Sequence, residues 1–205
     1  MDKRIIVLAT KNEGKVREIL EILSEYKDQI KTLKELEFDM DLPEETGKSY
    51  EENAFIKAKY VAEITGYPVI AEDSGLEIDA LQGELGIYSA RFGGNVGYKE
   101  KISLVLEKMK DTPWEDRKAR FICKAVFYDM KEDVKIITGG KVEGYIAYEP
   151  KGEKGFGYDP IFYFPLLDKT FGEIDKSEKN KYSHRFLAFS KLKLFLDAYC
   201  KGGKI

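Results

Sequence analysis

Five short segments of this chain hold the residue types that phosphoryl chemistry needs. These are carboxylates to grip a cation, lysines to offset phosphate charge, and aromatics to stack a base. The first is Thr10-Lys11-Asn12-Glu13-Gly14-Lys15, which joins backbone donors, a side-chain amide and a cation ahead of a helical pattern. A helix N-terminus after such a loop binds anions. The spacing of a Walker A loop is absent, and alone the segment reads as an ordinary polar turn. The second is Glu44-Glu45-Thr46-Gly47, ahead of a helix that carries Lys57. A carboxylate there suits a metal and Lys57 suits a phosphate. Acids near a helix start also favour its dipole, and a lysine beside an apolar face also snorkels, so both readings stay open.

The third segment, Glu72-Asp73-Ser74-Gly75, follows the short apolar run Val69 to Ala71. Carboxylates at the carboxyl ends of strands face the crevice where open α/β sheets bind ligands. Neighbouring side chains in extended chain point to opposite faces, so one acid should dominate at a metal. Asp73 lies nearer the loop and is the expected ligand, although Asp-Ser-Gly is also a common turn. The fourth segment is Gly155-Phe156-Gly157-Tyr158-Asp159-Pro160, whose glycines would let a purine approach and stack. Asp159 could accept from a base edge. A tight loop with core aromatics has the same composition. The fifth joins Lys179 to Ser183-His184-Arg185 at the start of the last helical pattern, where three donors make an anion or carbonyl site reasonable beside a plain cap with solvent-exposed charge.

The elements that must position these residues can be read from the pattern. Residues 5–9 form a buried strand, and Val16, Ile19, Leu20 and Leu23 recur at helical spacing after the first loop. Ser49 and Glu52 fit a capping box, so a helix starts near Tyr50, buries Ala54, Ala58, Val61 and Ala62, and stops at Gly66 and Pro68. Val69 to Ala71 is a second buried strand that delivers the acids at its end. Residues 79–97 form an ordered glycine-rich loop, and Ile102, Val105, Leu106 and Met109 mark another helix. Residues 119–128 alternate as a strand. Residues 134–138 and 142–147 read as two strands joined by a Gly139-Gly140 turn. The last helix covers about 183–199, with Ala188, Leu192, Phe195, Leu196 and Tyr199 on one face.

With 205 residues, 43% of them hydrophobic, the chain supports one α/β domain spanning 1–205, or two lobes sharing one sheet. A net charge of -3 argues against a general nucleic-acid surface but allows a local anion site. The apolar run Ile5 to Ala9 is too short for a signal core or a membrane span. Two distant cysteines, Cys123 and Cys200, with no CxxC, point to reduced thiols and a cytoplasmic setting. The single histidine, His184, excludes a two-histidine metal site. A catalytic metal must then lean on carboxylates, and oxygen ligands suit magnesium.

The ordered set of motifs resembles the ITPase-like, or Ham1-like, XTP/dITP pyrophosphatase family. The matching text is LATKNEGKVREI, EETGKSYEENAFIKA, VIAEDSGLEIDAL with GIYSARFGG, then GFGYDPIF, KTFGEI and SEKNKYSHR. It runs from about Ile5 to Leu196. The resemblance implies a long mixed β-sheet with two α/β lobes flanking a central active-site cleft, and a homodimer. It also implies magnesium-dependent hydrolysis of ITP, dITP and XTP to monophosphate and pyrophosphate. Position by position, Thr10, Lys11, Asn12, Glu13, Gly14 and Lys15 look like the phosphate-binding loop. Glu44 and Asp73 look like the magnesium ligands, with Asp73 also the proton acceptor. Ser74 and Lys57 match substrate contacts. Phe156, Gly157, Tyr158 and Asp159 match the base-binding segment, and Lys179, His184 and Arg185 match residues that close on base and phosphates. Many relatives carry Asp-Asp where this chain has Glu72-Asp73, which leaves the choice of base open between the two. The partner implied is a small nucleotide, with no nucleic acid and no membrane. The rivals are a pyrophosphatase of other preference and a nucleotide-binding module without turnover.

Overall fold

The computed structural model describes residues 4–200, which divide into two compact units. The first comprises the chain through Asp73, then Cys123–Gly140, then the chain from His184. The second comprises Ser74–Ile122 and Lys141–Ser183. The strands follow the sheet order β2-β1-β3-β4-β5-β6-β7. They are β1 (Ile6–Leu8), β2 (Ile30–Thr32), β3 (Val69–Ile78), β4 (Lys118–Asp129), β5 (Val134–Ile146), β6 (Phe162–Phe164) and β7 (Lys169–Thr170). The sheet is mixed: β1 pairs in parallel with β2 and β3, while β6 pairs antiparallel with β5 and β7. The helices are α1 (Glu13–Ile22), α2 (Tyr50–Thr65), α3 (Tyr98–Lys108), α4 (Lys176–Lys179) and α5 (His184–Cys200).

In the first unit the strands are covered on both faces, which explains the unbroken apolar runs. Ile6 and Leu8 of β1, Ile70 of β3 and Cys123, Ala125 and Phe127 of β4 pack with Ile19 and Leu23 of the α1 region and with Phe189 and Leu192 of α5. The alternate residues Val7, Val69, Ala71 and Val126 pack with Ala54, Ala58, Val61 and Ala62 of α2. This period of two sets where the acids go. Glu72 follows Ile70 toward the α1 and α5 side, and Asp73 follows Ala71 toward the α2 side.

The cap expected at Ser49 forms, and Asn12 also caps α1. The Asn12 side chain accepts from Lys15 N at 3.1 Å, and the Ser49 hydroxyl accepts from Glu52 N at 3.1 Å. The acids do not sit at a strand end, however. β3 runs on through them to Ile78, because Leu76 and Ile78 continue the alternation and enter the core of the second unit. The Gly139-Gly140 turn is likewise overturned, since β5 is one continuous strand. Gly140 marks close approach to α5: a Cβ there would lie 2.1 Å from the His184 carbonyl oxygen and 2.7 Å from Ala188 N.

The core of the second unit gathers Leu76, Val105, Phe121, Ile146, Phe162 and Phe171. Arg117 is buried there with no carboxylate partner among the described residues. Its guanidinium donates to the carbonyls of Ile146 (2.7 Å), Met109 (2.7 Å) and Ala147 (3.0 Å). These bonds replace the hydration that a buried cation loses.

Candidate active site

Asp73 is buried on β3 and faces α2. Its Oδ2 accepts from Asn53 Nδ2 at 3.1 Å, and its Oδ1 lies 3.9 Å from Lys57 Nζ. Lys57 reaches past it to Glu45 Oε1 at 2.5 Å. Asn53, Lys57 and Val61 fall at i, i+4 and i+8 of α2, so one stripe carries both polar groups and the apolar contact. Burial pushes the Asp73 carboxyl up to about 6; Lys57 opposes this and Glu45 adds to it.

Glu72, one residue earlier, has the opposite surroundings. It is 1% exposed. Lys15 Nζ stands 2.5 Å from its Oε1, and Arg185 Nη2 lies 3.4 Å from its Oε2. Arg185, itself 1% exposed, donates through Nη1 to Glu18 Oε2 at 2.5 Å. The result is an alternating row of charges, Lys15, Glu72, Arg185 and Glu18, drawn from α1, β3 and α5. Burial alone would raise the Glu72 carboxyl, but Lys15, Arg185 and Lys57 outweigh it and hold it below the usual carboxylate range. Cys123 Sγ contacts the same Oε2 at 3.4 Å, and burial pushes this thiol up. The two neighbouring acids therefore differ in kind: Glu72 is a neutralised anchor, and Asp73 keeps the weaker set of partners.

The loop between β1 and α1 is organised by its own side chains. Thr10 Oγ1 accepts from Asn12 N at 3.2 Å, Asn12 caps α1, and Lys11 Nζ pairs with Asp41 at 2.9 Å. Lys15, in the first turn of α1, reaches Glu72 within β3. Glu44 is exposed, whereas Glu45 turns in to Lys57. His184 is buried at the start of α5.

In the second unit Asp159 is 2% exposed and gathers its own segment. Its Oδ2 accepts from Phe156 N at 2.8 Å and from Lys179 Nζ at 2.6 Å. Lys179 Nζ also lies 5.0 Å from the Phe156 ring centroid, within cation–π range. The Tyr158 ring belongs to the core, and its hydroxyl donates to the Ser89 carbonyl at 2.9 Å. Ser74, next after Asp73 on β3, is half-buried.

Comparison with known proteins decides the family. A model of the Ham1 family matches residues 6–195. The chain belongs to the Ham1 family. This Ham1 chain is 47% identical over 192 residues to a dITP/XTP pyrophosphatase of Halalkalibacterium halodurans, covering 93% of the chain and 98% of that relative. It is 46% identical to a dITP/XTP pyrophosphatase of Thermus thermophilus, over 96% of the chain and 92% of the relative. Among solved structures, a HAM1 protein from Coxiella burnetii matches with a TM-score of 0.84 and 42% identity, covering 95% of this chain and 98% of that one.

The donor set of the Ham1 chain fits magnesium. That ion takes one or two carboxylates and completes its shell with water and substrate phosphates. Among the described residues no three His, Cys, Asp or Glu side chains form a ready-made cage. Asp73 and the acids of the 44–45 segment, with Glu45 held by the same Lys57 that lies near Asp73, are the oxygen groups that would supply the smaller set. Reading the sequence alone missed Asn53, Glu18 and Cys123. Asn53 was visible in principle as a polar residue in register with Lys57 on an otherwise apolar stripe. Glu18 and Cys123 carry no local signal, because their partners lie on other elements.

Proposed function

We propose that this protein hydrolyses abnormal purine nucleoside triphosphates, ITP, dITP and XTP, at the α–β phosphoanhydride, giving monophosphate and pyrophosphate and so clearing them from the nucleotide pool. The carrying observation is the division of labour between neighbouring acids on β3. Glu72 is neutralised by Lys15 and Arg185, which leaves Asp73 as the carboxylate to act on water. The activity carried in the names of the relatives supports the same substrate class.

In this reading Glu44 and Asp73 would hold magnesium, which when bound would neutralise phosphate charge. Asp73 takes the proton from the water that attacks the α-phosphorus. Thr10, Lys11, Asn12, Glu13, Gly14 and Lys15 cradle the phosphates through backbone donors and the Lys15 cation, and Lys57 adds charge. Phe156 stacks on the purine within the segment of Gly157, Tyr158 and Asp159, with Lys179 fixing Asp159. Ser74 contacts substrate. A donor from His184, Arg185 or a backbone N–H meets the oxygen at C6 of ITP and XTP, where ATP carries an amino group. GTP differs by its 2-amino donor. Polar mismatches of this kind exceed the roughly 1–3 kcal/mol of a methylene-sized difference. The proposed enzyme is a cytoplasmic homodimer whose partner is a small nucleotide, in keeping with a net charge of -3. No helix among the described residues is long and apolar enough to cross a membrane.

A turnover panel tests the reading. With magnesium, ITP and XTP should release pyrophosphate at least about tenfold faster than GTP or ATP, and chelation should abolish release. Comparable rates on all four, or intact nucleotide throughout, would remove the proposal.

A further inference from the structure

We infer that Asn53 is a positioning residue that ties the acidic 44–47 segment to Asp73, an inference that rests on the proposed function. Three observations carry it. Asn53 is fully buried, at 0% exposed. Its Oδ1 accepts from Gly47 N at 2.8 Å, and its Nδ2 donates to Asp73 Oδ2 at 3.1 Å. The backbone N–H of Gly47 can only donate, so the amide oxygen must face it and the NH₂ must face the carboxylate. One side chain therefore holds both segments that carry the proposed ligands, and a flipped amide would satisfy neither end.

The backbone is built to permit this. A Cβ at Gly47 would lie 2.6 Å from Glu52 Cβ and 2.7 Å from Asn53 Oδ1. Only glycine lets the segment approach α2 closely enough to reach the amide. The N-terminus of α2 is fixed from the same side, since Glu52 Oε2 accepts from Lys48 N at 2.6 Å while Ser49 caps Glu52 N. Glu44 and Glu45 are then held by a short tether to α2, and Asp73 is held from β3, through one amide group. Catalytic constellations lose rate when such supporting groups let them drift by about 1 Å. Lys57 bridges Glu45 and Asp73 as a charge, whereas Asn53 sets direction with two hydrogen bonds.

The test separates the two halves of the bridge. Asn53→Asp keeps an oxygen for the Gly47 N–H but turns a carboxylate toward Asp73. Asn53→Ala removes both contacts. Two quantities are read: kcat on dITP with magnesium, and amide hydrogen exchange of residues 44–47 in the nucleotide-free protein. Asn53→Asp should cut kcat at least tenfold while exchange stays within threefold of wild type. Asn53→Ala should raise that exchange at least tenfold and also cut kcat. Wild-type kcat in Asn53→Asp, or unchanged exchange in Asn53→Ala, would overturn the inference. A wild-type protein inert toward dITP and XTP would sink the proposed function instead, and the exchange arm would still decide whether Asn53 holds the segment.

Discussion

Adjacent carboxylates on one strand need not share a role, and here their surroundings separate them. Glu72 meets two cations, while Asp73 meets an amide at 3.1 Å and a lysine at 3.9 Å. Strong pairing makes a carboxylate a poor proton acceptor, because its negative charge is already satisfied. The Asp73→Asn variant should therefore lose turnover by about 10²- to 10⁴-fold, the range of a positioned general base. Nucleotide should still bind, as measured by calorimetry, because the phosphate loop and Lys15 are untouched. Full turnover in that variant would transfer the base role elsewhere.

At the level of elements, β1, β4 and the helices α1, α2, α3 and α5 could be read from spacing, whereas the short strands β2, β6 and β7 and the single turn of α4 could not. The cap at Ser49 and the apolar faces of α2 and α5 depend on residues close in sequence, so local pattern reveals them. The extent of β3 and the unity of β5 depend on distant partners. Gly140 looks like a turn in one dimension, but its missing side chain makes room for α5. Substitution tests that distinction. Gly140→Ala forces a methyl to 2.1 Å from the His184 carbonyl oxygen, where only backbone could yield. It should cost about 1–3 kcal/mol of stability in urea unfolding, as overpacking does. Gly139→Ala meets only the flexible Lys124 side chain, at 3.1 Å and beyond, and should unfold near the wild-type midpoint. Equal midpoints for both variants would restore the turn. The site was legible to the same degree. The five segments announce themselves by residue type, whereas Asn53, Glu18 and Cys123 acquire meaning only when α1, α2, β3, β4 and α5 are assembled.

Across the whole molecule, the alkaline limit of stability follows from buried phenols. Burial raises Tyr199, with a hydrogen bond to Asp129 adding, and burial raises Tyr26, with one to Asp197 adding. Burial also raises Tyr158. An unfolded tyrosine loses its proton near pH 10, so these groups hold theirs longer in the native state. Their stabilisation is complete below about pH 10 and is lost as pH climbs toward the folded values. Urea midpoints should fall from pH 9 to 11 by more in wild type than in Tyr199→Phe, and parallel curves would contradict this. The row formed by Lys15, Glu72, Arg185 and Glu18 has a further consequence, on the scale of descent. Deleting one member of a buried ionic set strands its neighbour, at a cost commonly larger than replacing the entire set. Lineages of this chain should thus keep all four or exchange them together, and stepwise drift through half-altered intermediates should be selected against.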